Sequence, residues 1–338
     1  MKRSGILSAL IFGILAVSLP PLNFVNEAAA DELKMATFFT DLALVPVYVA
    51  DKLGFYGGMK IVPVKMSAGQ VSSAMENGSV DIHSFATPGV TAAEAGLDVK
   101  MIMALVENFT ASLVCLPDVK NLADLAGKKV AVHAVNFQPH RLMEYALSKA
   151  GVDPKSVEFR GLGNSANRLA ALKSGDVSCA VLYPPYDEYA KRLGYKVLLT
   201  GYNLPRQPDQ AFWVKGADLQ NAARRAQFRV LVSGTLKAIG WLNDSKNKAE
   251  AIPLIIEAMG LEKMADGLLA DLEKLGQKPG MSVKNLAADM AEEIYGQGRR
   301  MWSQTGRFTS DEARTLAELT LGKPFADPAR LFDLSLLP

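Results

Sequence analysis

Residues 157–182, VEFRGLGNSANRLAALKSGDVSCAVL, contain the unit that decides the fold. The pattern predicts a strand over Val157–Arg160, a helix over Ser165–Ser174 and a second strand over Ser178–Leu182. A helix that connects two strands is the building unit of mostly parallel sheets covered by helices. The chain is therefore expected to be an α/β protein.

The same alternation extends from this unit in both directions. The other predicted strands are Leu33–Phe38, Met59–Val64, Asp81–Phe85, Val99–Val106, Ala111–Leu116, Lys129–Ala134, Lys196–Thr200 and Ala211–Val214. The helices predicted between them are Pro46–Lys52, Ser72–Asn77, Thr87–Gly96, Leu122–Gly127, Pro139–Lys149 and Asp187–Leu193. After residue 214 the pattern becomes helical, with helices predicted over Ala217–Asn243, Lys248–Met259, Asn285–Trp302 and Ser310–Leu319.

A chain of 338 residues usually forms more than one lobe. We assign residues 31–115 and 211–338 to a first lobe and residues 116–210 to a second. The chain would cross between them near Ser112–Pro117 and Pro205–Val214, and two such crossings form a natural hinge. A ligand cleft is expected between the lobes, at the carboxyl ends of the strands.

Residues 1–30 have the features of a secretory signal peptide. Lys2 and Arg3 precede a nearly continuous apolar stretch, and Ala28–Ala30 provide small residues for cleavage before Asp31. An N-terminal membrane anchor is the alternative, but Pro20 and Pro21 interrupt the stretch before it reaches the roughly 20 residues of a spanning helix. We therefore expect a periplasmic protein.

Composition restricts the function further. The formal net charge of +2 lacks the strong basic excess of a nucleic-acid surface, so no nucleic-acid partner is expected. Cys115 and Cys179 permit one disulfide at most, and their apolar, strand-like surroundings favour two buried free thiols instead. We expect a monomer.

The candidate ligand-binding residues follow the ends of predicted strands in both lobes or lie on the return crossing. They are Phe39, Thr40, Asp41, Ala86, Thr87, His133, Asn136, Phe137, His140, Asn164, Ser165, Tyr183, Tyr186 and Phe212.

Several of these positions lead into helices, whose N-terminal N–H groups favour an anionic ligand. Thr87 and Ser165 could instead cap their own helices. Asp41 favours the opposite ligand, an amine or another N–H donor, or else caps the helix that follows it. Aromatic residues of the set suit a planar or aliphatic ligand body. A small organic carboxylate or sulfonate with an apolar body combines most of these features.

Signatures of catalysis or metal binding are missing from the sequence. The chain has no HExxH, GxSxG or GxxxxGK[ST] motif and no paired cysteine spacing. His83, His133 and His140 do not form a compact cluster with acidic residues. We expect no catalytic residues, no metal and no cofactor, with His133 or His140 as hydrogen-bond partners of a ligand.

Four ordered segments resemble periplasmic solute-binding proteins of the nitrate, taurine, aliphatic-sulfonate and thiamine-precursor type. They are PVYVA with GFY (46–56), NGSVDI (77–82), NLADLAGKKV (121–130) and ALKSGD with AVLYPP (171–185).

This resemblance covers about residues 33–320 and implies a type II periplasmic-binding-protein fold and an ABC permease as partner. It makes Thr40, Thr87, Asn136, Asn164 and Tyr183 the preferred ligand contacts. The cysteine-rich motif of the thiamine-precursor synthases is absent. Two alternatives stay open, an enzyme of the same fold acting on a small acid or pyrimidine, and a sensory binding protein.

Overall fold

The computed structural model describes residues 32–37, 41–277 and 280–338. The predicted signal peptide and its cleavage site lie outside the described residues. Ten strands run through the described chain: β1 (Glu32–Thr37), β2 (Lys60–Lys65), β3 (Ile82–Phe85), β4 (Val99–Val106), β5 (Ser112–Cys115), β6 (Lys129–Val132), β7 (Glu158–Gly161), β8 (Cys179–Leu182), β9 (Lys196–Leu199) and β10 (Gln210–Lys215). Each matches a predicted strand to within one or two residues at either end.

Eleven α-helices lie in the same part of the chain: α1 (Val45–Lys52), α2 (Val71–Glu76), α3 (Ala86–Glu94), α4 (Gln138–Lys149), α5 (Ser165–Ser174), α6 (Tyr186–Arg192), α7 (Ala222–Asn243), α8 (Lys248–Met259), α9 (Leu261–Lys274), α10 (Val283–Met301) and α11 (Ser310–Leu321). The predicted helix at residues 122–127 is a short 3₁₀ helix, Leu122–Leu125.

The strands form two five-stranded sheets, one in each lobe. The first has the order β2-β1-β3-β10-β4, and the second has the order β7-β6-β8-β5-β9. Strands β1, β2 and β3 are parallel, as are β6, β7 and β8. One strand in each sheet, β10 or β5, runs antiparallel to both of its neighbours. Each antiparallel strand directly follows a crossing from the other lobe.

The first crossing lies earlier than the sequence analysis places it. Strand Ser112–Cys115, assigned there to the first lobe, pairs with β8 and β9 in the second sheet. The chain therefore leaves the first sheet after Val106 and returns between Leu199 and Gln210.

The prediction of two free thiols is wrong. Cys115 and Cys179 are directly opposed residues on the antiparallel strands β5 and β8, and they form a disulfide. Both residues are fully buried, as the sequence analysis expects. The register between these strands brings together two sulfurs that are 64 residues apart in the chain.

The helical C-terminal region differs from the prediction at two points. The predicted helix Ala217–Asn243 is divided at Asn221, whose extended backbone and side-chain oxygen cap α7 at the N–H groups of Ala223 and Arg224. Helix α9 is missing from the prediction. It begins directly after Gly260, whose left-handed backbone (φ 64°) ends α8. The helix reaches the second lobe through Asp271, which accepts hydrogen bonds from Lys173 of α5 and Tyr189 of α6.

Candidate functional site

A small cavity lies between the two lobes. Its lining residues are Asp41, Phe85, Ala86, Thr87, Pro88, His133, Phe137, Gln138, Pro139, Tyr183, Asp209 and Gln210. We call Asp41, Phe85–Pro88, Asp209 and Gln210 the first-lobe wall. We call His133, Phe137–Pro139 and Tyr183 the second-lobe wall.

Strand ends place most of both walls. In the first-lobe wall, β3 ends at Phe85 and α3 begins at Ala86, while Gln210 is the first residue of β10. In the second-lobe wall, His133 follows β6 and Tyr183 follows β8. Parallel strands bring their carboxyl ends to one edge, and an antiparallel strand brings its amino end to that same edge.

Gln138 joins the two walls. Its backbone N–H donates to Thr87 Oγ1 at 3.2 Å, and its side-chain Nε2 donates to Asp209 Oδ1 at 2.9 Å. The residue is buried. The two hydrogen bonds of Gln138 thus connect the lobes across the cavity.

Two buried carboxyl groups lie in the first-lobe wall. Asp41 accepts from the Ala43 N–H at 2.9 Å and from Gln210 Nε2 at 2.6 Å, and burial raises its pKa. Asp209 accepts from Gln138 and also from the Thr110 N–H at 3.3 Å. Burial, together with the nearby charge of Asp41, raises the pKa of Asp209 to about 7. In the described chain, neither carboxyl group has a lysine or arginine ion-pair partner.

The second-lobe wall is aromatic and has a buried cation behind it. The Nδ1 of His133 lies 3.1 Å from the carbonyl oxygen of Gly163, so Nδ1 carries the proton of this bond. Burial, with a smaller effect of Arg168, lowers the pKa of His133. Arg168 is fully buried, donates to Ser165 Oγ at 2.9 Å and to the Val181 carbonyl, and lies 5.7 Å from the centre of the Tyr183 ring.

Six of the predicted ligand-binding residues line the cavity. They are Asp41, Ala86, Thr87, His133, Phe137 and Tyr183. Asp41 also caps the short 3₁₀ helix Leu42–Leu44, as the capping alternative predicts. Phe39 and Thr40 lie outside the described residues.

The remaining six predicted residues are not part of the lining, namely Asn136, His140, Asn164, Ser165, Tyr186 and Phe212. Asn164 caps α5 at the Asn167 N–H, and Ser165 accepts from Arg168. The His140 Nδ1 accepts from the Asn136 N–H, and its ring packs edge-on against Phe159. Phe212 is fully buried in the hydrophobic core.

Tyr186 is the first residue of α6 and packs against the core. Three polar lining residues are absent from the predicted set: Gln138 and Asp209, which bond across the two walls, and Gln210, which bonds to Asp41 within the first-lobe wall. Gln138 directly follows the predicted Phe137, whereas Asp209 and Gln210 lie at the beginning of a strand instead of at its end.

The described residues contain no cluster of three or more His, Cys, Asp or Glu side chains that could bind a metal ion. None of the described helices combines the length and apolar character needed to cross a bilayer.

Comparison with known proteins identifies the family and the fold. The model of the NMT1-like family matches residues 27–256. No curated protein matches the chain. The alkanesulfonate-binding protein SsuA of Xanthomonas axonopodis pv. citri, bound to MOPS, superposes with a TM-score of 0.60 at 17% identity, covering 85% of this chain and 90% of that one.

Two further solved structures share the fold. The periplasmic aliphatic sulphonate binding protein SsuA of Escherichia coli has a TM-score of 0.56 at 21% identity, covering 80% of this chain and 97% of that one. The periplasmic nitrate-binding protein NrtA of Synechocystis PCC 6803 has a TM-score of 0.58 at 15% identity, with coverages of 80% and 89%. The matches confirm the predicted two-lobe fold and the resemblance to periplasmic solute-binding proteins.

Proposed function

Because the chain belongs to the NMT1-like family, we propose that it is the substrate-binding component of an ABC importer. In this proposal the protein takes a small molecule into the cavity between its lobes and delivers it to a permease in the inner membrane. It acts as a monomer in the periplasm after cleavage before Asp31, and it binds its ligand without chemical turnover.

The observation that carries the proposal is the interlobe cavity itself. Side chains from both lobes line it, so a bound molecule would touch both walls at once. A ligand with contacts on both lobes stabilises the closed arrangement over an open one, which is the requirement for capture and release. The aromatic side chains with a few buried polar groups are typical of a small-molecule site.

A small organic anion is the ligand that the sequence favours. The start of α3 supports it, because the N–H groups of Ala86 and Thr87 lie at a helix N-terminus beside the cavity. The buried carboxyl groups of Asp41 and Asp209 oppose it, because a second negative charge beside them is unfavourable.

The proposal is tested by searching for a bound compound. The full chain, with its leader, is expressed and the mature protein is recovered from the periplasmic fraction, where its mass fixes the cleavage site. Native mass spectrometry then detects any retained small molecule. Added ligand at a hundredfold excess over Kd should stabilise the protein by about 2.7 kcal/mol, seen as a higher Tm. Retention in the cytoplasm, or turnover of the bound compound, would contradict the proposal.

A matched pair of tyrosine variants locates the site. Tyr183→Ala should weaken ligand binding by about tenfold or more, because Tyr183 is an aromatic part of the second-lobe wall. Tyr202→Ala should leave the affinity unchanged, because Tyr202 is 50% exposed and is not in the cavity lining. The Tm of each ligand-free variant separates a loss of affinity from a loss of folding. Equal affinities would place the site elsewhere.

A further inference from the structure

The polar groups that face the cavity are mainly hydrogen-bond acceptors. Asp41 and Asp209 contribute two carboxyl groups, each held by neutral donors. A carboxylate has about four positions for hydrogen-bond donors, and these protein contacts use only part of them. Both groups therefore retain the capacity to accept hydrogen bonds from a ligand.

Gln210 adds an acceptor that no protein group satisfies. Its Nε2 donates to Asp41, which orients the Oε1 of the same amide away from that carboxylate. This Oε1 is buried without a hydrogen-bond partner, and the residue is only 5% exposed. A buried polar atom with no partner is unfavourable, and a group of a bound ligand would remove this cost. Since Oε1 is a carbonyl oxygen, that group must be a donor.

His133 presents an acceptor from the opposite wall. Its Nδ1–H is used by the Gly163 carbonyl, so the neutral ring has a lone pair on Nε2. Burial and the charge of Arg168 both favour this neutral form. His133 is part of the cavity lining. Acceptors thus face the cavity from both lobes.

Donors for an anion are few at the two helix starts. Pro88 is the third residue of α3, and Pro139 is the second residue of α4, so neither position has an N–H group. The N–H of Gln138, the first residue of α4, already donates to Thr87. Helix α3 therefore offers the amides of Ala86 and Thr87, far less than two complete helix N-termini.

We propose that the ligand carries a cationic nitrogen group with several N–H donors, such as an amidinium or a primary ammonium, which binds between Asp41, Asp209 and Gln210. Its ring or hydrocarbon body packs against Phe85, Phe137 and Tyr183. The inference rests on the proposed function and names the ligand class of the same cavity. Arg168 does not reverse it, because this cation is outside the lining and its two terminal nitrogens donate to Ser165 and the Val181 carbonyl.

The first test uses probes that share one ring and differ in the polar group. Benzamidinium, benzylammonium, benzoate and benzenesulfonate are titrated into the mature, ligand-free protein by calorimetry above pH 7, where Asp209, with its pKa of about 7, is ionised. The cationic probes should bind at least tenfold more tightly than the anionic ones. Tighter binding of benzoate or benzenesulfonate overturns the inference, and so does the failure of both cationic probes to bind at millimolar concentration.

The second test removes the charge of one acceptor. Asp209→Asn should weaken benzamidinium binding at least tenfold, and Asp41→Asn provides an independent variant if the first does not fold. Asp187→Asn is the matched control, because Asp187 is also a buried carboxyl group but accepts from Ser112 and lies outside the cavity lining. Equal losses in all three variants, or none, overturn the inference.

Failure of the inference is distinguishable from failure of the proposed function. An anionic probe whose binding is abolished by Tyr183→Ala would leave the importer proposal intact and overturn the ligand class. Turnover of a bound compound would instead contradict the importer proposal, whichever probe binds.

Discussion

The two walls of the cavity arise from the same kind of strand–helix unit, yet they are held and charged differently. The first-lobe wall carries the carboxyl groups of Asp41 and Asp209 and rests on packing around Trp213. The second-lobe wall is mainly aromatic, shares a hydrophobic cluster with the Cys115–Cys179 disulfide through Tyr183, and has the Arg168 cation behind it. A shared topology therefore fixes where a wall lies, whereas its chemistry depends on individual side chains.

The disulfide provides the largest test of this difference. Replacing both cysteines by alanine should lower the free energy of unfolding by about 4 kcal/mol, because the bond closes a loop with a sequence separation of 64 residues. Hydrogen exchange should increase in β5, β8 and β9 and change little in β1 and β3. Reducing the wild type should reproduce the effect, and the double variant should not respond to reductant. An equal increase of hydrogen exchange in both sheets would contradict a stabilising effect of the disulfide that is specific to the second lobe.

Asp209 should make the stability of the protein depend on pH. Its pKa rises to about 7 in the fold against an ordinary value of 3.8, so the folded state binds the extra proton between these values. Stability should fall as pH rises from about 4 to about 7, by about 3 kcal/mol. The contribution of the Asp209 proton to stability is complete below the unfolded-state pKa and is lost once pH passes the folded-state pKa.

Denaturant unfolding across this pH range measures the effect. Asp209→Asn should remove this part of the slope, whereas Asp187→Asn should leave it in place. Asp41 and Asp187 give slopes of the same sign, and the buried His83 gives the opposite one, so the difference between wild type and variant is the decisive quantity. An unchanged slope in Asp209→Asn would show that Asp209 is ionised in the fold at low pH.

Gly89 tests how the first-lobe wall is held. A Cβ at this position of α3 would lie 2.3 Å from the Trp213 ring, so Gly89→Ala should destabilise the fold by about 2 kcal/mol. Gly240→Ala is the matched control, because Gly240 is also helical and a Cβ there meets nothing within 4 Å. The control should be neutral or slightly stabilising, since alanine is the better helix former. Similar Tm values for both variants would contradict a rigid contact between α3 and Trp213.

The sequence predicted the cavity residues well where parallel strands end. Thr87, His133 and Tyr183 were found in this way, because the carboxyl ends of parallel strands share one edge. The same reasoning failed at β10. This strand is antiparallel, so Asp209 and Gln210 at its beginning face the cavity.

Other errors have equally specific causes. The disulfide depends on the register between β5 and β8, and buried apolar surroundings alone cannot reveal that register. Helix α9 was recognisable in principle, because its buried residues Leu261, Ala265, Leu268 and Leu272 have helical spacing. Ser165 occupies a helix start that the sequence predicts correctly, but its hydroxyl accepts from the buried Arg168 three residues later in the same helix.

The smallest effect concerns the charge behind the second-lobe wall. Arg168→Met should raise the pKa of His133 but leave it below its ordinary value of 6.5, because burial is the larger cause of the shift. NMR titration of the histidine rings measures this. Arg141→Met is the reciprocal control, since Arg141 lowers the pKa of His140. If Arg168→Met leaves His133 unchanged, the neutral ring is maintained by burial alone. The acceptor on the second-lobe wall, His133, would then not depend on the charge of Arg168. The two walls would still differ in charge, but this difference would not change the protonation of His133.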